Sequence, residues 1–279
     1  MVRTAWVTVW AGLFLAAGVP VQAAAWRFQW QPGQVLNYKV EQSTQAAEVV
    51  DGKKTETASK LRNVKRWRVL DVDAAGVATL ELSLASLHVE TTTPTGDVIM
   101  FDSANPDQSN PQMREQLSKY IGQPLAVLRV DSKGKVVEVK DCKYGPASRF
   151  ESEPPFGVVL PDEEVLAGQS WERNYQVTLE PPQGTGEKYD ATQKYVCQTL
   201  ENGLTTVLVS SNLKKLPDSL LDQVPLLQML PEGGVIVDLQ AGRLQRAVWK
   251  VEKELTGQQG QGSSYQFKSS YAEEYLGDK

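Results

Sequence analysis

The strongest constraint on this chain is a pattern that occurs twice. Val127–Val139 alternates apolar residues into Val-Asp, passes a Gly followed by Lys, and resumes alternation; Val235–Leu244 does the same with Gly followed by Arg. Each copy reads as strand, tight turn and strand, with Gly supplying the positive φ that short hairpin turns demand. Two further segments recur in the same order. Gly33-Gln leading to Asn37-Tyr-x-Val40 returns as Gly168-Gln leading to Asn174-Tyr-x-Val177, two residues longer, and Gly76–Ser83 matches Gly203–Ser210 without a gap. Self-similar strands in a fixed order predict one unit used twice. The expected fold is mainly β: two tandem antiparallel curved-sheet modules, each with a short helical segment packed on its sheet. Residues 26–143 form module one, 144–160 a linker marked by its Gly and Pro, and 161–279 module two.

Within module one, Leu36, Tyr38 and Val40 share a face by strand periodicity. The longest strand signal, Gly76–Glu90, puts Leu80, Leu82 and Leu84 on one face, and strict alternation places His88 with them. A helix is predicted between Asn110, an N-cap with Pro111 at the first helical position, and Gly122; Met113, Leu117, Tyr120 and Ile121 have helical spacing.

The equivalent place in module two holds Leu216–Pro231, where Pro225 must break or kink any helix. Its apolar residues cover more than one face, which exceeds what a single capping contact needs. The segment reads either as a buried cap or as a lid over an apolar cavity. As a lid it would present Leu220, Leu221, Val224, Leu227 and Leu230 to a ligand, with Trp171 and Trp249 as pocket wall; on strands, such tryptophans are more often core.

The N-terminus reads as a secretory signal over residues 1–25: Arg3, an apolar run from Trp6 to Val21, then Ala23-Ala-Ala25. No transmembrane span is expected after its removal, and the expected location is secreted or periplasmic. Without Arg3 the chain keeps 28 Lys and Arg against 34 Asp and Glu, a net charge of −6. An acidic, well-mixed surface argues against nucleic acid or an anionic membrane as partner. Cys142 and Cys197 are the only cysteines, a pair that permits a disulfide in an exported chain, while Cys197 also fits a buried core thiol.

No catalytic signature emerges. His88 is the single histidine, with no nucleophile or metal-ligand pattern near it. Asp71–Gly76 begins like a calcium loop but has Ala75 and Leu82 where oxygen ligands belong. Glu163-Glu164 and Glu273-Glu274 are adjacent pairs, so on strands they point to opposite faces and read as solvated charges. No cofactor or metal is implied.

Leu160–Trp171, with its Leu-Pro lead and Gly-x-x-Trp opening a strand, resembles a family of uncharacterised secreted bacterial proteins with duplicated β modules. Pro32–Tyr38 and Phe101-Asp-Ser103 carry the same resemblance. At fold level the expected curved sheet with a helix on its concave side is similar to the half-barrels of periplasmic lipoprotein and lipid carriers. The resemblance implies export and brings no functional residues. The expected function is that of an exported, non-enzymatic protein binding an apolar small molecule, a lipid or a cell-envelope protein through its β modules. The alternative is a structural or interaction module of the envelope without a pocket.

Overall fold

The structure is a computed structural model that describes residues 25–278; residues 1–24, on which the expected secretory signal falls, lie outside the described residues. Twelve strands form one antiparallel, curved, open sheet. They are β1 (Val35–Val50), β2 (Lys53–Val72), β3 (Ala78–Thr92), β4 (Val98–Asp102), β5 (Pro124–Val130), β6 (Val136–Cys142), β7 (Ser170–Leu179), β8 (Glu187–Glu201), β9 (Leu204–Leu213), β10 (Glu232–Asp238), β11 (Arg243–Thr256) and β12 (Ser264–Asp278). Their order across the sheet is β6-β5-β3-β2-β1-β12-β11-β10-β9-β8-β7, with β4 pairing the far half of β3. Five strands of each half therefore follow the same descending order, and β12 is the strand between them. The two halves share one sheet because β1 pairs with β12 over nearly its whole length.

Local chemistry explains the long hairpins. Asp51-Gly52 and Asn202-Gly203 are two-residue loops in which Asp51 (φ 51°) and Asn202 (φ 53°) are left-handed, as a type I′ turn requires. The repeated pattern is a hairpin in both copies, β5–β6 and β10–β11. An aspartate side chain holds each turn: Asp131 Oδ1 accepts from the Lys133 and Lys135 amides, and Asp238 Oδ1 from those of Gln240 and Ala241. The setting of the copies differs, since β6 is a sheet edge and β10–β11 is internal.

Both turns are tied by one short stretch near the start of the described chain. The Phe28 amide donates to Ser132 O (2.7 Å) and the Gln29 amide to Gly242 O (2.9 Å). A Cβ on Gly134 would lie 2.7 Å from Phe28 Cε2, and one on Gly242 would lie 2.6 Å from the Gln29 nitrogen, so close approach as well as positive φ demands glycine there. Trp26–Trp30 is thus an extended tie rather than a strand of the sheet.

Along the strands the concave face divides in two. At one end Leu36, Tyr38, Trp67, Val69, Leu80, Leu128, Val207, Val235 and Leu244 form a single core drawn from both halves. A curved sheet cannot fill its own hollow, and Trp26, Phe28, Phe156 and Val158 fill it there. Residues 144–160, with the Gly and Pro of a linker, are therefore a packed crossing segment. Phe156 and Val158 are fully buried, and Phe156 touches the rings of Phe28, Trp30, Tyr38 and Trp67. The short helix α2 (Arg149–Ser152) in this segment lies against both edge strands, β6 and β7.

One sequence expectation changes. His88 does not share a face with Leu84, because the β2–β3 register shifts between Val64 and Lys65 and leaves Ala85 unpaired; beyond this bulge Leu87 and Val89 continue the concave face and His88 points away. Cys142 and Cys197 are both free thiols. Cys197 is a buried core thiol near Thr205 Oγ1, while Cys142 Sγ lies on the carbonyls of Tyr144 and Gly145 at the edge strand. No described helix is long and apolar enough to cross a membrane.

Candidate functional site: a cavity on the concave face

At the end away from the core, the concave face encloses a cavity of about 800 Å³. Leu82 of β3 and Gln193 and Ser211 of β8 and β9 line the same space, which the curvature of the sheet makes possible. Its volume lies within the range of small-molecule sites.

The helix α1 (Pro111–Leu117) stands over the β3 side. Asn110 caps it as expected, its Oδ1 accepting from the Gln112 and Met113 amides at 3.1 and 3.2 Å. None of its residues is fully buried. Met113 and Leu117 face the cavity across open space instead of seating on the sheet.

The opposite side is bounded by the proline-broken segment. The helix α3 (Leu220–Gln223), capped by Ser219, gives way to a 3₁₀ stretch, Val224–Met229, since Pro225 has no N–H to continue the α pattern. Leu226 packs among Tyr175, Val177, Leu179 and Ala191, and Leu227 among Val251 and Phe267. These two leucines anchor the segment, and Gln228, Met229 and Pro231 line the cavity. Of the five residues expected to face a ligand, Leu227 is an anchor, Leu230 is half-buried, and Leu220 and Leu221 are exposed. Val224 and Leu221 instead border a separate cleft of about 430 Å³ with Tyr265 and Phe267. Trp249 lines the main cavity, whereas Trp171 is packed on the rings of Trp26 and Tyr195 with its indole N–H on Val159 O.

Strand register maps the cavity floor. On β2 the inward row is Leu61, Asn63, Lys65 and Trp67; facing it on β3 are Val89, Leu87, Leu84 and Leu82. On the other side β1 contributes Gln42 and Val40, and β12 contributes Ser269, Tyr271 and Glu273. The floor is apolar under α1, polar through the centre, and apolar again at Trp249 and Val251 of β11.

The polar centre is an interior ion pair. Lys65 Nζ is 2.5 Å from Glu273 Oε1, and the Tyr271 hydroxyl donates to Glu273 Oε2 at 2.6 Å. Lys65 also stands 5.8 and 6.0 Å from the ring centres of Tyr38 and Trp67, within cation–π range. Glu273 is only 4% exposed. Its reading as a solvated charge is therefore wrong: the alternation Tyr271, Glu273, Tyr275 carried the signal that it faces inward. Burial first, then the charge and hydrogen bond of Glu273, push the Tyr271 hydroxyl well above the ordinary tyrosine range. Glu153 reaches the cavity from the crossing segment, its surface open to the hollow while protein surrounds it. That enclosure raises its carboxyl, against the pull of Arg149 and Lys65.

The wall at β8 and β9 is polar and satisfied. Gln193 donates to Ser211 Oγ and accepts from Arg173 Nε and the Tyr195 hydroxyl. His88 lies outside this site, beside Glu90 (3.0 Å) and Asp102 (3.6 Å). No group of three or more His, Cys, Asp or Glu side chains suited to a metal occurs among the described residues. The arrangement suits holding an amphipathic molecule: extended apolar surface, a few fixed polar groups and an opening.

No protein-family model and no curated protein sequence matches the chain. Solved structures do. The fold is similar to that of lipovitellin, from a structure describing lipid–protein interactions, at a TM-score of 0.51 and 11% identity, over 90% of this chain. This chain spans 26% of the lipovitellin chain. An outer membrane channel from Pseudomonas putida F1 aligns over 90% of this chain and 98% of its own at 7% identity and a TM-score of 0.25. The MucA/MucB complex of Pseudomonas aeruginosa aligns over 85% and 88% at 7% identity and a TM-score of 0.13. The similarity to lipovitellin is one of fold, a curved antiparallel sheet enclosing a hollow.

Proposed function

We propose that this protein is an exported, non-enzymatic binder of an apolar, lipid-like ligand, held in the concave cavity. The observation that carries this reading is the cavity itself: about 800 Å³ between α1 and the Gln228–Pro231 stretch, apolar on two sides of a polar centre. α1 keeps Met113 and Leu117 turned to that space although no sheet residue fills it, which gives an apolar ligand a surface to bury. The lipid association of lipovitellin, whose fold is similar, supports the same reading.

Magnitudes are adequate but not generous. Ten buried methylenes contribute on the order of 8 kcal/mol gross, and association costs at least about 4 kcal/mol. The chain of the ligand alone thus gives weak binding, and polar contacts decide affinity. The rival reading, an envelope module pairing through its sheet edges, has less support, because α2 lies against both β6 and β7.

The test is native mass spectrometry and solvent extraction of protein purified from its own host. A co-purifying hydrophobic molecule, displaced when Leu84→Trp fills the cavity, is the expected result. Recovery of ligand-free protein that also binds no apolar fluorophore sinks the proposal.

A further inference from the structure

The cavity floor contains polar atoms the fold does not use. On the inward row of β2, Asn63 Oδ1 and Trp67 Nε1 are buried and have no hydrogen-bond partner in the protein. Trp67 is 1% exposed and both residues line the cavity. Buried polar atoms are almost always paired, so two orphans on one strand face, two residues either side of Lys65, need an account. One is an acceptor and the other a donor. By contrast the Gln193 network across the cavity satisfies its own members.

Charge narrows the ligand. Lys65 is already against Glu273, and the remaining charged groups lining the cavity are Arg149, Glu153 and the exposed Lys250 at the rim. On the Asn63–Trp67 row itself the one cation, Lys65, is compensated by Glu273, so the row offers an anionic head group no free positive charge, whereas Arg149 on the crossing segment keeps a buried Nε without a hydrogen-bond partner. Size narrows it further. At the ~30 Å³ that a water takes in the liquid, the cavity holds on the order of 25 non-hydrogen atoms, enough for one acyl chain with a small head and about half of a two-chain phospholipid.

We infer that Asn63, Lys65 and Trp67 form the head-group subsite of the cavity, and that it selects an uncharged single-chain lipid whose head offers both an oxygen acceptor and a hydroxyl, of the monoacylglycerol type. An ester or hydroxyl oxygen accepts from the Trp67 N–H, a hydroxyl donates to Asn63 Oδ1, and the chain runs over Leu84, Leu87 and Val89 beneath α1. The inference rests on the reading of the cavity as an apolar-ligand site.

Displacement of the apolar fluorophore N-phenyl-naphthylamine from the full protein tests it, with monoolein, oleate and dioleoylphosphatidylglycerol as competitors. Monoolein is expected to compete best. Trp67→Phe, which stays aromatic but removes the indole N–H, and Asn63→Leu should each weaken monoolein roughly 2- to 10-fold, the range for one hydrogen bond, and weaken the fluorophore less than monoolein. Tighter competition by oleate or the two-chain lipid overturns the inference, as does equal weakening of monoolein and fluorophore in both variants. If the fluorophore itself does not bind, the cavity reading fails instead.

Discussion

Replacing Gly134 with alanine separates two contributions that the repeated hairpin combines. Gly134 has φ +86°, a conformation that costs an L-residue about 1–2 kcal/mol. A Cβ would also stand 2.7 Å from Phe28 Cε2 and 3.0 Å from the Val158 carbonyl oxygen, on two segments pinned by hydrogen bonds to the same turn region. Overpacking of this kind costs about 1–3 kcal/mol. Gly76 is a control, with φ +79° and no atom within 4 Å of its Cβ. Urea unfolding followed by tryptophan fluorescence should give a loss of about 2–5 kcal/mol for Gly134→Ala and about 1–2 kcal/mol for Gly76→Ala. In a Phe28→Leu background, which draws the side chain back from the turn, the gap between the two alanine variants should narrow. Equal losses for the two variants, or a gap indifferent to Phe28→Leu, would refute the idea that the N-terminal tie is packed on the hairpin.

Lys65→Met should cost about 3–5 kcal/mol by leaving Glu273 buried without its cation, and adding Glu273→Gln should recover most of the loss; equilibrium unfolding checks both. Glu153 gives a pH signature. Its folded-state pKa is raised, so the folded protein binds more protons than the unfolded chain between the two pKa values, and stability falls as pH rises through that window. Glu153→Gln should flatten that slope, as chemical unfolding at several pH values would show. Iodoacetamide should label Cys142 in the native protein and Cys197 only after unfolding, with no peptide linking the two by disulfide in non-reducing mass spectrometry.

Much of the sheet was legible because its chemistry is local. Period-two alternation identified Leu36, Tyr38 and Val40, and all three are buried; Asn110 and Pro111 announced α1 and its cap is formed. The site was legible only in outline. The lid residues were drawn from apolar excess alone, and the excess at Leu226 and Leu227 turned out to anchor the segment while Met229 reaches the cavity. His88 was misplaced by one unpaired residue, since a bulge exchanges the faces of everything beyond it. The Lys65–Glu273 pair was beyond local reasoning, because it depends on β1 pairing with β12 as well as with β2. Nor does composition distinguish a flexible connector from one that buries Phe156, when both are rich in Gly and Pro.

The tie from Phe28 and Gln29 to the two hairpin turns has a consequence for the order of folding. Each hairpin can form from neighbouring residues within microseconds. The tie, the β1–β12 ladder and the Tyr38 hydroxyl on Leu244 O, which joins residues 206 apart, need nearly all of the chain at once. Topologies dominated by such distant contacts fold slowly. Until β12 arrives, β1 is a 16-residue unpaired edge, open to pairing with another chain. Val40 and Glu273, opposite each other in that ladder and both lining the cavity, meet only when the sheet closes, so the hollow that would hold a ligand is among the last features of the molecule to exist.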